Sequence, residues 1–294
     1  MWARSCAGHC VTNCREAEIR LPRHIALGLA IALLAAAAAA GEPAPEPATE
    51  PVDAVEAVAE PAVDAAAVAP PVAVPEALAV PPHYAKYNAS VRGIPVRLGL
   101  RLEPLEDGTW QYRSWAEPRG LLGFINRELT ETSILTVTDG RVIPISYRKR
   151  DEFGDRDSAM QFDAEAGIVH IEYRGRKNDV DWEPGIYDLQ SLRVALAHDL
   201  ARGELGDVYR VVDDRGRVDT VDVTVAAREP LKTKLGRLDT IRLEYYSERR
   251  DRLFRLWLAP DMDAALVALE QYEGDSLRGR LEIVEYQRLE TAVP

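Results

Sequence analysis

The chain has 294 residues, a net charge of −12 and three cysteines, so it is long enough for one large domain or two small ones. Its acidic balance, without a basic cluster, argues against nucleic acid or an anionic membrane surface as a partner. Because Cys6, Cys10 and Cys14 all precede the first apolar segment, the rest of the chain has no disulfide, thiol catalyst or cysteine-based metal centre. We expect no metal ion and no cofactor.

Residues 1–40 have the pattern of an export leader. Ile25–Ala40 is a run of 16 residues without a polar side chain, and Arg20 and Arg23 precede it. This is typical of a secretory signal peptide, and the run is shorter than the roughly 20 apolar residues of a spanning helix. We therefore predict a periplasmic protein. The alternative is an uncleaved leader that anchors the protein in the inner membrane, facing the periplasm.

Residues 41–82 are predicted to be a disordered linker rich in Ala, Pro and Glu. The segment holds eight acidic residues and ten prolines, but no Lys or Arg. Proline interrupts helices and sheets, and repulsion between the acids extends the chain further. Such a segment cannot bury enough apolar surface to form a core. The folded domain is therefore expected to span residues 83–294.

Alternating apolar residues predict that this domain is mostly β-sheet. In Ile94–Leu102, the side chains of Val96, Leu98 and Leu100 fall on one face of a strand. Short turn signals join such runs into hairpins, for example Arg92-Gly93 and Asp139-Gly140. About eleven strands of this kind predict an all-β fold with one helix, built as an antiparallel β-barrel or half-open barrel around one apolar interior.

One segment has the period of a helix rather than that of a strand. Asp188 is a suitable N-cap and Gly203 a suitable stop, and four leucines lie between them at helical spacing: Leu189, Leu192, Leu196 and Leu200. We predict a helix near residues 189–201 that covers the core or closes one end of the barrel. The composition of Ala264–Tyr272 also suits a helix, but its neighbours favour a strand.

Several stretches resemble one family. They are Asp139–Tyr147 followed by Gln161-Phe162-Asp163, then Tyr187–Leu192, then Leu256–Asp261. In this order they resemble the uncharacterised exported bacterial proteins grouped as domain of unknown function 3108, over residues 83–290. The chain departs from the pattern after Asp261, where Asp263-Ala264-Ala265 stands in place of an expected proline. The resemblance implies an envelope location and an antiparallel β-barrel or half-barrel, and it brings no catalytic residue.

Aromatic and apolar residues are the candidate ligand-binding residues. Apolar pockets use aromatic walls with few polar groups, although the same residues also fill ordinary cores. The apolar loop Gly120–Ile125 is a candidate lid, lipid-contacting tip or plug, or a simple cover of the core. The residues we single out as a hypothesis are Trp110, Tyr112, Leu121, Phe124, Tyr147, Tyr245 and Trp257.

No catalytic or metal-binding constellation is recognisable. His83, His170 and His198 have no partner at metal-ligand spacing, and we expect them to be structural or exposed. The acids of Asp151–Asp157 are expected to form a solvated loop rather than a calcium site. In Asp179–Glu183, alternating acids flank Trp182, which also fits a glycan hydrolase that uses two carboxylates.

The sequence therefore favours a non-enzymatic envelope protein that binds an apolar or amphiphilic ligand, such as a lipid, in a curved β-sheet. One alternative is a structural or assembly factor that binds an envelope protein through its surface or an open edge strand. The other is an envelope glycan hydrolase using Asp179, Asp181 and Glu183. Contact with a membrane is expected only through an uncleaved leader.

Overall fold

The computed structural model describes residues 76–118, 129–152, 154 and 156–290. Within these ranges the chain forms fifteen β-strands and one α-helix. Nine strands precede the helix: β1 (His83–Val91), β2 (Ile94–Pro104), β3 (Trp110–Pro118), β4 (Leu129–Thr138), β5 (Arg141–Asp151), β6 (Ser158–Asp163), β7 (Ile168–Tyr173), β8 (Arg176–Asp181) and β9 (Ile186–Tyr187). The helix α1 spans Leu189–Arg202. Six strands follow: β10 (Val208–Val212), β11 (Val218–Thr233), β12 (Gly236–Ser247), β13 (Arg252–Ala259), β14 (Ala265–Glu273) and β15 (Ser276–Arg288).

All these strands belong to one sheet, in the order β8 to β1 followed by β15 to β9. Neighbouring strands are antiparallel, apart from the short parallel pair of β9 and β10. Because β8 and β9 end the sheet and do not pair with each other, the barrel is half-open, as predicted. The strand number exceeds the predicted eleven, in part because β9 has only two residues and β8 is charged and almost wholly exposed. Neither shows an alternating apolar pattern.

The alternating residues face one interior, as the sequence predicts. Val96, Leu98 and Leu100 on β2 are 2%, 6% and 6% exposed. The segment Ala264–Tyr272, ambiguous in sequence, contributes to β14, where Val267 and Leu269 are buried. Burial of such side chains stabilises the sheet by roughly 25 cal/mol per Å² of apolar surface.

Helix α1 lies inside the curved sheet. Its N-cap is Asp188 and its C-cap is Gly203, which adopts a left-handed φ of 73°. Leu192 and Leu196 are fully buried, and the helix contacts β3, β4, β5, β9 and β10. The leucine stripe therefore fills the interior of the barrel over the length of the helix. In the described ranges, no helix has the length and apolar character needed to cross a membrane.

Side chains close the gap between the two ends of the sheet, a junction that we call the seam. A second apolar cluster joins β5, β6 and β7 to β9 and β10, and includes Tyr147, Ile186 and Val212. The turn between β10 and β11 also packs on β8, since a Cβ at Gly216 would collide with Asn178 and lie 3.0 Å from Val180. Side-chain contacts rather than ladder hydrogen bonds close the seam.

The folded part begins before the predicted boundary at residue 83. Leu78 and Val80 are buried in the main core, although the sequence predicted a linker without packed residues up to residue 82. The Nδ1 atom of His198 accepts a hydrogen bond from the Ala79 amide at 2.9 Å, and Nε2 lies 3.1 Å from the Gly140 carbonyl oxygen. Because Nδ1 accepts, Nε2 carries the proton and donates it. His198 thus ties residues 76–82 and the β4–β5 turn to the helix.

Replacing His198 with alanine is expected to release residues 76–82 from the core. The change removes the partner of the part-buried Ala79 amide and Gly140 carbonyl oxygen. The loss of such a hydrogen bond costs about 0.5–1.5 kcal/mol. Hydrogen exchange followed by mass spectrometry should show faster exchange in residues 76–84. The matched control is His170→Ala at an exposed histidine, which should leave this segment unchanged. Equal protection in both variants would refute the role of His198.

Candidate functional site

The outer face of β4 to β8 carries two rows of side chains that cross the five strands. The strand register sets the rows, since Arg148 lies opposite Thr132 and Ala159, and Ser146 opposite Ile134 and Gln161. The rows continue across β7 and β8 in the same way. We call this surface the outer groove; its two rows are Thr132, Arg148, Ala159, Glu172 and Lys177, and Ile134, Ser146, Gln161, His170 and Asp179.

Short side chains and a local bend give the outer groove its depth. Ala159 and Ser146 are short residues within rows of longer ones. The β4–β5 pair also shifts register between Ile134 and Leu135, and such a bulge bends a strand and increases its twist. The resulting open cavity measures about 800 Å³. A second cavity of about 470 Å³ shares Arg148, Ala159 and Glu172 and continues toward Arg150.

Basic side chains gather at one end of the outer groove. We call them the basic cluster; all are exposed, and they are Arg148, Arg150, Arg174 and Lys177. The acidic composition of the chain led us to expect no such cluster. Arg148 and Arg150 lie on β5, whereas the other two come from the β7–β8 hairpin, so the cluster arises only when the sheet forms.

The histidine of the outer groove is paired with a carboxylate. His170 Nδ1 lies 2.9 Å from Asp179 Oδ1, and both residues are exposed. In the described ranges, no group of three or more His, Cys, Asp or Glu side chains is arranged to hold a metal ion. At the acid-rich turn after β5, Asp151 accepts from Arg156 and from the amide of Gly154. His170 and Asp179 thus give the outer groove hydrogen-bonding and charged groups.

The interior beside the helix offers far less space than the outer groove. The cavity between α1 and the sheet, lined by Tyr87, Tyr112 and Arg193 among others, measures about 20 Å³. A volume of roughly 10–15 Å³ holds one water molecule. A lipid chain therefore does not fit there while α1 keeps its place.

Three ionisable side chains lie buried together beneath the seam. Lys149 on β5 donates to Asp214 Oδ2 at 2.8 Å, and the two side chains are 1% and 5% exposed. Burial lowers the pKa of Lys149, but the nearby carboxylates of Asp214 and Glu131 outweigh it, so the pKa is raised above its ordinary value. Because Lys149 belongs to the sheet and Asp214 to the β10–β11 turn, this ion pair holds the seam closed.

A polar network surrounds the amino terminus of α1. Asp188 Oδ1 accepts from the backbone amides of Gln190 and Ser191, and Oδ2 accepts from the hydroxyls of Ser133 and Ser191. Burial raises the pKa of Asp188, an effect that these hydrogen bonds oppose. The side-chain amide of Gln190 donates to Glu131 Oε2. The network fixes the helix against β4.

Glu131 should make stability depend on pH near neutrality. Burial raises the pKa of Glu131 to about 7, although Lys149 lowers it in part. An unfolded glutamate has a pKa of about 4.3, so the stability linked to Glu131 is fully present below that pH and is lost as the pH rises through about 7.

We expect Glu131→Gln to abolish this loss. The free energy of unfolding of the variant, relative to the original chain, should rise by up to about 3 kcal/mol between pH 5 and pH 8. Urea denaturation at a series of pH values measures the difference. Other titrating groups, Asp188 among them, act in both chains and cancel. A difference that stays constant with pH would contradict a raised pKa for Glu131.

The structure spreads the aromatic candidates over several places. Tyr112 and Tyr245 are buried in the main core, which Trp110 borders, and Tyr245 stacks on Phe254 with ring centroids 4.7 Å apart. Trp257 is also buried, but its Nε1 donates to Glu229 at 2.8 Å. Tyr147 belongs to the seam cluster.

The predicted ligand-binding set lies only partly at the outer groove or the cavity beside α1. The candidates Leu121 and Phe124, and the apolar loop around them, lie outside the described residues, as do the leader and residues 41–75 of the linker. Of the five described candidates, Tyr147 borders the outer groove and Tyr112 borders the small cavity beside α1. The structure does not bring these five residues together in one site.

Two of the three carboxylates of the hydrolase alternative, Asp179 and Glu183, do not line the same cavity. The third, Asp181, is exposed at the end of β8. Asp179 lines the outer groove, where His170 holds it. Glu183 lies beyond the end of β8 and forms an ion pair with Arg210, which lines a different cavity of about 490 Å³. Two carboxylates flanking one bond are the usual requirement for glycoside hydrolysis.

A family model described as Protein of unknown function (DUF3108) matches residues 86–281. The chain belongs to this family. The match confirms the resemblance read from the sequence motifs. It reaches from β1 into β15, so the outer groove and α1 both lie within the DUF3108 region. No curated protein matches the chain.

Solved structures that match this chain include a β-barrel-like protein of domain of unknown function DUF1849 from Brucella abortus. It is 10% identical, covers 73% of this DUF3108 chain and 100% of its own, and gives a TM-score of 0.48. A candidate exported protein with a YmcC-like fold from Bacteroides fragilis is 11% identical. The match covers 70% of this chain and 95% of that protein, with a TM-score of 0.34. A candidate lipoprotein from Parabacteroides distasonis is 10% identical, and the match covers 71% of this chain and 98% of that protein, with a TM-score of 0.31.

Proposed function

We propose that this DUF3108 protein is a non-enzymatic binding protein of the cell envelope that holds an amphiphilic ligand in the outer groove. The observation that carries the proposal is the open cavity of about 800 Å³ on the outer face of β4 to β8. Its size falls within the range of roughly 300–1,000 Å³ that small-molecule sites occupy.

The lining of the outer groove suits a molecule with an apolar and a polar part. Ile134 and Ala159 offer apolar surface, and Thr132 adds a methyl group. Arg148 and Lys177 stand in the same row as Ala159; their aliphatic stems extend the apolar surface while their charged ends reach water. An amphiphile can therefore bury its chain over the floor and leave its head group at the margin.

The packed helix favours the outer groove over the interior as the binding place. A ligand inside the barrel would have to displace Leu192 and Leu196, since the cavity beside α1 holds about 20 Å³. Loss of such contacts costs about 2–5 kcal/mol for each large apolar side chain.

The absence of a catalytic role is part of the proposal, and so is the envelope location. The separation of Asp179 from Glu183, each engaged by a basic partner, supports a binding protein over a glycan hydrolase. The signal-like pattern of residues 1–40 supports export. A partner protein that adds a strand at β8 is less favoured, because the turn around Gly216 already packs on that strand.

The proposal is tested by titrating dihexanoyl phosphatidylcholine, kept below its critical micelle concentration, into the protein in a calorimeter. We expect saturable binding to the original chain. Ala159→Trp should abolish it, because the indole would occupy the floor of the outer groove. The control is Thr224→Trp, which places the same side chain on an exposed position of β11 and should leave the affinity unchanged.

Two results would overturn the proposal. One is the absence of binding to the original chain. The other is equal affinity in Ala159→Trp and Thr224→Trp, because the ligand would then lie elsewhere. Circular dichroism of both variants confirms that the fold is intact.

A further inference from the structure

We infer that the head group bound at the outer groove is anionic, of the phosphate type carried by acidic phospholipids. The inference rests on the proposed function and adds the charge of the ligand and its orientation in the outer groove. The basic cluster marks the end at which the head group lies.

The basic cluster is placed where a head group would reach it. Arg148 and Lys177 belong to the row that contains Ala159, and Arg150 lines the cavity that continues from it. Arg174 lies in the β7–β8 turn at the same end of these strands. A ligand chain lying over Ile134 and Ala159 would thus direct its head group toward several guanidinium groups.

The charges of the basic cluster are not neutralised within the described part of the protein. Across these ranges, no member of the cluster has a carboxylate within salt-bridge distance. Elsewhere on the sheet several arginines are paired, as in Arg255 with Glu244 at 3.0 Å and Arg278 with Glu273 at 3.0 Å. In a chain of net charge −12, a group of unpaired cations beside a cavity is a surface that favours an anion.

Carboxylates also line the two cavities, and in the described ranges none of them is within salt-bridge distance of the basic cluster. They are Asp151, Glu152, Asp157, Glu172 and Asp179. Asp151 is paired with Arg156, and Asp179 with His170. The cations of the basic cluster therefore keep their N–H donors for an anion. Arginine also matches a phosphate with two parallel N–H donors, which gives the head group a defined orientation.

The experiment compares two lipids with equal chains, dihexanoyl phosphatidylglycerol and dihexanoyl phosphatidylcholine, below their critical micelle concentrations in 50 mM salt. We expect the anionic lipid to bind the original chain about tenfold more tightly. Arg148→Gln/Arg150→Gln should reduce the preference to about twofold or less, and so should 0.5 M salt, because exposed charges are screened. The matched control, Lys232→Gln/Lys234→Gln at the exposed β11–β12 turn, should keep the preference.

Each other outcome decides against the inference. Equal affinities for the two lipids overturn it and leave the proposed function standing. Binding of neither lipid overturns both. Glycerol 3-phosphate, which carries the head-group phosphate without chains, distinguishes an amphiphile from a free phosphate. If it binds as tightly as phosphatidylglycerol, the cluster is a simple anion site and the inference fails.

Discussion

Replacing Lys149 with methionine is expected to destabilise the protein by about 3–5 kcal/mol, because it breaks a buried ion pair by removing one partner. Lys149 is 1% exposed and is hydrogen-bonded to the buried Asp214. Methionine keeps most of the volume but removes the charge, so Asp214 and Glu131 remain in the interior without their cation. Urea denaturation at pH 7, followed by circular dichroism, measures the change. The seam should also become more sensitive to proteolysis.

A double substitution separates the loss of the ion pair from the loss of packing. In Lys149→Met/Asp214→Asn, the unpaired carboxylate is replaced by a neutral amide of the same shape. We expect the double variant to recover at least half of the stability lost in Lys149→Met, since much of the cost is the stranded charge. A loss below about 1 kcal/mol in the single variant, or no recovery in the double variant, would show that the pair does not hold the seam.

Leu196→Ala should cost about 2–5 kcal/mol, because it opens a cavity between α1 and the sheet. Leu196 has no exposed surface, and the cavity beside α1 measures only about 20 Å³. The side chains around Leu196 are therefore closely packed, and they can fill the gap only in part. Thermal and urea unfolding should both report the loss. The matched control is Leu277→Ala at a leucine with 47% exposure, which should change the free energy of unfolding by less than about 0.5 kcal/mol.

A small effect of Leu196→Ala, similar to that of Leu277→Ala, would mean that the leucine stripe does not pack inside the barrel. The interior would then be free for a ligand, and the outer groove would no longer be favoured as the binding place.

The fold was largely predictable because its signals are local. A strand turns successive side chains to opposite faces, so the alternation in Ile94–Leu102 specified which residues are buried. The hairpin at Asp139-Gly140 followed from turn chemistry alone, and Asp188 and Gly203 marked the ends of the helix. Each of these signals lies within a few residues of the structure that it specifies.

The buried charges were not predicted, although the sequence holds a signal for them. Glu131 and Ser133 fall in the same alternating phase as Leu129 and Leu135, so the pattern itself directs them inward. Lys149 likewise follows Tyr147 at a spacing of two. The partner of Lys149 is Asp214, which lies in a turn 65 residues away. The sequence alone does not show this contact, so it gave no reason to expect a buried lysine.

The candidate site was the least predictable part. Aromatic residues such as Tyr112 and Tyr245 were correctly placed on strands, but alternation cannot tell whether an interior is filled by a helix or open to a ligand. The outer groove depends on which strands are neighbours and on the bulge after Ile134. The basic cluster contains Arg148 and Lys177, which lie on strands three strand pairs apart. The net charge of the whole chain therefore did not indicate the cluster.

Methyl NMR of the protein saturated with dihexanoyl phosphatidylglycerol is the most direct test, because the ligand is proposed to lie outside the barrel while the helix fills its interior. Intermolecular nuclear Overhauser effects should join the lipid chains to the methyl groups of Ile134 and Ala159, while the methyl groups of Leu192 and Leu196 show none. Contacts from the lipid chains to Leu192 and Leu196, with none to Ile134 and Ala159, would contradict the proposed binding place.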